Sequence, residues 1–104
     1  MNAAGAQGRT PLMQLASGGY EPITDLKLTQ ALMEDGAKPN AQDAFGSTAL
    51  MLAAARGKVA MVRYLLSHGA DKTILNCHGK NAIALAKANK RWDVARILEN
   101  RQMK

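Results

Sequence analysis

The chain of 104 residues contains a single cysteine, Cys77, so it cannot form a disulfide within itself. It also lacks any apolar run close to the roughly 20 residues that a membrane-spanning helix needs. Its N-terminus, MNAAGAQGRT, has no charged segment followed by an apolar one, which is the pattern of a signal peptide. We therefore expect a cytoplasmic protein with no membrane partner. A periplasmic or secreted location is the alternative if a leader has been removed.

Aromatic residues are scarce, at 4% of the chain, although 47% of the residues are hydrophobic. The core must therefore be built from Ala, Leu, Ile, Val and Met, and alanine allows helix backbones to approach closely. A chain of this length suffices for one domain, over residues 1–104, and is too short for two.

Acidic residues are scarce in the second half of the chain. Residues 1–55 hold three Lys/Arg against five Asp/Glu, whereas residues 56–104 hold eleven against three. This asymmetry could attract an acidic protein surface or a nucleic acid. Alternatively, the cations only stabilise the C-terminal ends of helices. The five that cluster at predicted helix ends and turns are Arg56, Lys58, Lys87, Lys90 and Arg91.

Catalytic and metal-binding motifs are lacking as well. The sequence has no P-loop, no paired-glycine dinucleotide fingerprint and no HExxH. The adjacent pair Cys77 and His78 is the one suggestive combination, but neighbouring side chains on an extended turn point apart. Zinc normally requires four ligands, and His68 is the only other histidine. We predict that the protein is not an enzyme and binds neither metal nor cofactor, with Cys77 and His78 as exposed turn residues.

What the chain does contain is an internal repeat. GSTALMLA begins at Gly46 and GKNAIALA begins at Gly79, and the segments LMEDGAK and LLSHGAD recur at the same spacing. A third copy, GRTPLMQLA, begins at Gly8, which is farther from Gly46 than Gly46 is from Gly79. The first unit therefore carries about five extra residues, which we place in the segment YEPIT at 20–24.

Each copy predicts a short helix, a polar turn and a second helix. In the middle copy Val59, Val62, Leu65 and Leu66 fall at i, i+3, i+6 and i+7, which is one apolar stripe of a helix. Such a pair of helices leaves apolar surface on both flanks, and only stacking against a neighbouring pair hides it. The pattern predicts an all-α solenoid of three helix-turn-helix units over approximately residues 8–40, 41–73 and 74–104.

These units resemble the ankyrin repeat family, which has a period of about 33 residues and the signature Thr-Pro-Leu-His-x-Ala. GRTPLMQLA matches that signature with Met13 in place of histidine, and the middle copy has Met51 at the same position. The signature histidine is mostly internal, so we expect both methionines in the core. The third copy is degenerate, because Lys90 replaces the glycine that corresponds to Gly57.

The resemblance implies turns that project between units as fingers, and a concave face lined by the first helices. It further implies a monomeric, non-catalytic module that binds a folded protein, as an adaptor or as an inhibitor of a partner enzyme. The basic charge favours a partner with an acidic surface. The positions that the resemblance assigns to partner contact are Gln42, Ala44, Phe45 and Ser47 in the first finger, Leu75, Cys77, His78 and Lys80 in the second, and Arg56 and Asn89 on the concave face.

Five residues admit two interpretations. Phe45 and Leu75 are large apolar side chains at turns and could either meet a partner or fold over the neighbouring finger. Tyr20 lies in the insertion and is a predicted contact, although the loop could also be a tolerated lengthening. Trp92 could be an exposed anchor, but we expect it to cover the end of the stack. Asp43 is predicted to shape its turn rather than bind a partner.

Electrostatic nucleic-acid binding through the basic half is the alternative function. We disfavour it because recognition of single strands usually combines basic residues with interleaved aromatics. That half of the chain contains only Tyr64 and Trp92 as aromatic residues.

Overall fold

The computed structural model describes residues 8–18 and 22–99. Within these ranges the protein has six α-helices and no β-strand, which confirms the predicted all-α solenoid. The helices follow one another in three pairs, although the unit boundaries themselves stay a prediction. None of the described helices combines the length and apolar character needed to cross a membrane. The helices are α1 (Pro11–Ser17), α2 (Pro22–Glu34), α3 (Ala49–Arg56), α4 (Val59–Ser67), α5 (Ala82–Ala88) and α6 (Trp92–Glu99).

The first helix of every pair begins with the same side-chain cap. The Thr10 hydroxyl accepts a hydrogen bond from the amide of Met13 at 3.2 Å, and the Thr48 hydroxyl accepts one from Met51 at 3.2 Å. In the degenerate third copy Asn81 takes over this function, because its side-chain oxygen accepts from the amide three residues later at 2.9 Å. Each cap satisfies an amide that has no partner inside its own helix.

The second and third pairs also share the turn that ends their first helix. Gly57 has a φ of 74°, and Lys90, at the equivalent position, has a φ of 60°. Lys58 then donates its amide to the carbonyl of Ala53 at 3.0 Å, and Arg91 makes the same bond to the third pair's counterpart, Ala86, at 2.8 Å. The backbone geometry is therefore kept although the third copy has lost the glycine.

Short helices stack in two layers, because the small residues of the first helices let them pack side by side. α1 packs on α3 and α3 packs on α5, while α2 contacts α4 and α4 contacts α6. Ala53, Ala54 and Ala86 are fully buried where the first helices meet. Met13 and Met51 are buried in the same core, which confirms that they take an internal position.

The second helices are tied to their neighbours by a repeating polar contact. Asp25, Lys58 and Arg91 occupy the same place in successive units, one repeat apart. Lys58 Nζ lies 2.7 Å from Asp25 Oδ2 in an ion pair that is largely buried. Arg91 Nε donates to the backbone carbonyl of Ala55 at 3.1 Å. Each cation therefore reaches back to the preceding unit, Lys58 to its second helix α2 and Arg91 to its first helix α3.

Candidate functional site

The first finger, residues 42–47, is built around the side chain of Asp43. One carboxylate oxygen accepts hydrogen bonds from the amides of Phe45 and Ser47, both at 2.9 Å, and the other lies 3.3 Å from Arg9 Nε. The backbone closes the turn, because the Gly46 amide donates to the Asp43 carbonyl at 2.9 Å. Asp43 is buried, so the prediction that it shapes the turn is confirmed.

The second finger, residues 75–80, uses an asparagine for the same purpose. The Asn76 side-chain oxygen accepts hydrogen bonds from the amides of His78 at 2.9 Å and Lys80 at 3.0 Å. The Gly79 amide donates to the Asn76 carbonyl at 2.9 Å, as in the first finger. Asparagine lacks the charge of Asp43 but supplies the same acceptor oxygen.

Hydrogen bonds join the two fingers to each other. The amide of Cys77 donates to the carbonyl of Phe45 at 2.9 Å. The side-chain amide of Gln42 donates to the Leu75 carbonyl of the second finger at 3.4 Å and to the Gly46 carbonyl of its own finger at 2.8 Å. Gly46 leaves no room for a side chain, because an added Cβ would lie 3.0 Å from the Cys77 amide nitrogen and 3.1 Å from the Asn76 Cα. The fingers thus form one hydrogen-bonded surface with a fixed backbone.

Two large apolar side chains are exposed on this surface. Phe45 is 45% exposed and Leu75 is 54% exposed, so neither is folded away into the neighbouring finger. Phe45 lies within a turn that hydrogen bonds of the backbone hold in place, and Leu75 directly precedes the turn that Asn76 closes. An apolar group displayed on a rigid turn suits contact with a second macromolecule.

The other predicted finger residues divide into two kinds. Ala44, Cys77, His78 and Lys80 are exposed and leave their side chains accessible. Ser47 is half-buried and donates its amide to Asp43. Gln42 is exposed, but its side chain links the two fingers through its bond to the Leu75 carbonyl. The sequence pattern had not revealed this structural contribution of Gln42.

The structure does not bring every predicted contact together. Arg56 and Asn89 are exposed at the C-terminal ends of α3 and α5, whereas the fingers precede the N-terminal ends of these helices. A helix of eight residues is about 12 Å long, so the two groups are separated by about that distance. The Asn89 side chain also donates to the Leu85 carbonyl at 2.8 Å and closes its own helix. Tyr20 lies outside the described residues.

The five clustered cations have different environments. Lys58 pairs with Asp25, and Lys87 Nζ lies 2.6 Å from Glu99 Oε2 in an exposed ion pair. The remaining three are Arg56, Lys90 and Arg91, and among residues 8–18 and 22–99 none of them is ion-paired. Only part of the cluster is therefore available to attract an anionic partner.

Trp92 corrects the sequence interpretation. We expected it to cover the end of the stack, but it is 59% exposed at the first position of α6. The repeat register offered a signal, because Trp92 corresponds to Val59, the first residue of α4, which is only partly buried. The unit does not need a large buried side chain at this position.

The titratable side chains offer little chemistry in the part of the chain that the structure describes. Within these ranges no group of three or more His, Cys, Asp and Glu residues is arranged to hold a metal ion. Hydrogen bonds from Thr73, first from its hydroxyl at 2.6 Å and then from its amide at 2.8 Å, lower the pKa of Asp71. This carboxylate shapes the turn after α4.

Comparison with known proteins matches this architecture to one family. A family model for ankyrin repeats, of three copies, matches residues 23–103. The chain is 35% identical over 89 residues to B-cell lymphoma 3 protein homolog of Mus musculus, covering 86% of this chain and 19% of that protein. It is 41% identical over 86 residues to Ankyrin repeat and SAM domain-containing protein 6 of Rattus norvegicus, covering 82% and 9% respectively. With Ankyrin repeat domain-containing protein 63 of Homo sapiens it shares 37% identity over 82 residues, or 79% and 21%. The chain thus spans at most about a fifth of the length of these relatives.

Proposed function

This chain belongs to the ankyrin repeat family, and from that premise we propose that it binds one folded protein through its fingers and concave face. Repeats of this family generally mediate protein–protein interactions and are non-catalytic. The finer role that we propose is that of an adaptor, or of an inhibitor whose finger blocks the cleft of a partner enzyme. We further propose that it acts as a monomer in the cytoplasm.

The observation that carries the proposal is the exposure of Phe45 and Leu75 on fingers whose backbone is already fixed. The Cys77–Phe45 hydrogen bond and the Asp43 and Asn76 turns hold the backbone before any partner arrives. Association then orders few additional backbone dihedrals, which lowers the entropy cost of binding. Apolar groups on a rigid surface of this kind are typical anchors of a protein interface.

Charge supports a partner with an acidic surface. The net charge of the chain is +6, and the exposed finger residue Lys80 and the exposed Arg56 add positive charge near the proposed contact. Complementary charge mainly speeds association and excludes wrong partners, so it contributes selectivity more than affinity. Raising the salt concentration should therefore slow association with the partner more than it speeds dissociation.

The experiment begins with affinity capture from the native cell extract, identification of the retained protein by mass spectrometry and its purification. A double variant, Phe45→Ser with Leu75→Ser, should then bind this protein at least tenfold more weakly while keeping its helical circular dichroism. Leu28→Ser is the matched control, since Leu28 is also exposed, at 39%, but lies on α2 away from the fingers. The proposal fails if the finger variant binds as the parent does, or if Leu28→Ser weakens binding equally.

A further inference from the structure

A second surface lies at the opposite end of α3 and α5 from the fingers. It is centred on Trp92 and includes the turn residues Lys90 and Arg91, Arg96 of α6, and the groove at the start of α4. We call it the Trp92 surface. The fold itself does not explain the large exposed side chain, because Val59 serves the equivalent position of the preceding unit.

The side chain of Arg91, the residue before Trp92, lies beside one of the residues that line the groove. This side chain lies against Gly57, where an added Cβ would be 3.0 Å from Arg91 Cδ, and its Nε donates to the Ala55 carbonyl at 3.1 Å. The groove has a volume of about 530 Å³, and Gly57, Val59 and Ala60 are among its lining residues. Arg91 therefore connects the start of α6, where Trp92 lies, with the edge of this recess on the preceding unit.

In the part of the chain that the structure describes, the groove contains one ion pair and one cation without an ion-pair partner, and further cations lie near Trp92. Lys58 and Asp25 line the groove, but they pair with each other at 2.7 Å. Arg63 also lines the groove and is exposed, as are Lys90 and Arg96. None of these three has an ion-pair partner among the described residues. Asp93 is an exposed anion beside them, and among the described residues of this surface the exposed cations outnumber it.

Backbone strain occurs at the same place. Lys90 has a φ of 60°, which costs a residue with a side chain roughly 1–2 kcal/mol, and it occupies the position where the preceding unit has glycine. It is the sole non-glycine residue with a positive φ in the described part of the chain. A strained residue whose cation points to solvent beside an exposed tryptophan suggests that the side chain itself has a use.

We propose that the Trp92 surface binds an acidic segment of a protein partner. An apolar side chain of the segment lies against Trp92 and the groove, and its carboxylates face Lys90, Arg96 and Arg63. Tryptophan flanked by arginine is the composition of binding hot spots, and the positive rim selects for an acidic occupant. This contact site is additional to the fingers and does not depend on the function proposed for them.

The test is a selection of random 12-residue peptides displayed on phage against the parent chain, with counter-selection on Trp92→Val. Valine is the residue at the equivalent position of the preceding unit, so this variant should fold normally. The enriched peptides should carry net negative charge and at least one aromatic or aliphatic residue. They should bind the parent at least tenfold more tightly than Trp92→Val, and they should shift the fluorescence of Trp92, the chain's single tryptophan.

Two variants separate this site from the fingers. Lys90→Gly with Arg96→Gln removes two cations and should weaken peptide binding at least fivefold, whereas Phe45→Ser with Leu75→Ser should leave it within twofold of the parent. The proposal is overturned by enriched peptides without net negative charge, by equal binding to Trp92→Val, or by loss of binding in the finger variant. It is also overturned if a 20-base-pair DNA duplex shifts the Trp92 emission and binds more tightly than every selected peptide.

Discussion

Replacing Lys90 by glycine should stabilise the protein, although it removes a side chain and a charge. Lys90 holds a φ of 60°, in the region where a Cβ crowds the backbone, and relief of that crowding is worth roughly 1–2 kcal/mol. Glycine also has more freedom in the unfolded chain, which offsets about 0.4–1 kcal/mol of this gain. The expected result is a free energy of unfolding higher by about 0.5–1 kcal/mol. For a chain of 104 residues this raises the melting temperature by about 2–5 °C.

The measurement is urea denaturation of Lys90→Gly followed by circular dichroism, together with a thermal melt. The matched control is Gly57→Lys, which introduces the side chain at the equivalent turn, where φ is 74° and the Arg91 side chain already occupies the space. We expect that variant to lose roughly 1–2 kcal/mol of unfolding free energy. A Lys90→Gly chain less stable than the parent, or a neutral Gly57→Lys, would refute the account of backbone strain at this turn.

Three further substitutions test the core, the fingers and a turn. Leu65→Ala removes a fully buried side chain and should cost roughly 2–5 kcal/mol of unfolding free energy by urea denaturation, and a loss under about 1 kcal/mol contradicts the assigned register. Gly46→Ala places a Cβ against the second finger at a φ of 77° and should cost roughly 1–2 kcal/mol. It should also speed hydrogen exchange of the Cys77 amide. Unchanged exchange would show that the hydrogen bond from this amide to the Phe45 carbonyl does not join the fingers. Thr73→Ala removes the larger of the two causes that lower the pKa of Asp71, so an NMR titration should show that pKa rising. In the parent protein the pKa of Asp71 is lower in the folded state than in the unfolded state. The ionised carboxylate therefore stabilises the fold at pH values above the unfolded-state pKa, and this stabilisation is lost as the pH falls through the folded-state pKa. A pKa that does not rise on substitution contradicts the assignment to the Thr73 hydroxyl.

Much of the architecture could be predicted from the sequence because the repeat period reflects how equivalent helices pack on one another. Equivalent positions in two copies with a regular period must face the same surroundings. One register therefore predicts both the threonine caps and the burial of Val62 and Leu65. The third unit was recognisable although its cap is Asn81, since the side-chain oxygen has the same reach as a threonine hydroxyl.

The exposure of individual side chains could not be predicted in this way. A period assigns a residue to a position in the unit. The solvent-accessible area that the residue's side chain buries on folding depends also on its size and on the neighbouring unit. Trp92 shows the difference: its position accommodates a valine in the preceding unit, and a tryptophan there extends into solvent. Gln42 shows a second limit, because its side-chain hydrogen bond to the Leu75 carbonyl joins the first finger to a second one that is distant in the sequence.

The expected loss in the finger variant follows from the areas that remain exposed. Burying a whole side chain of this size contributes roughly 1.5–3 kcal/mol, and Phe45 and Leu75 have about half of their surface left to bury. Together they can therefore contribute about 1.5–3 kcal/mol, which corresponds to a factor of roughly 10 to 150 in affinity. A micromolar complex requires about 8 kcal/mol, so for such a complex most of the binding free energy must come from contacts outside these two side chains. Truncating both finger tips should therefore weaken the complex without abolishing it. Complete loss of binding by a folded variant would mean that the fingers do more than contribute contact area.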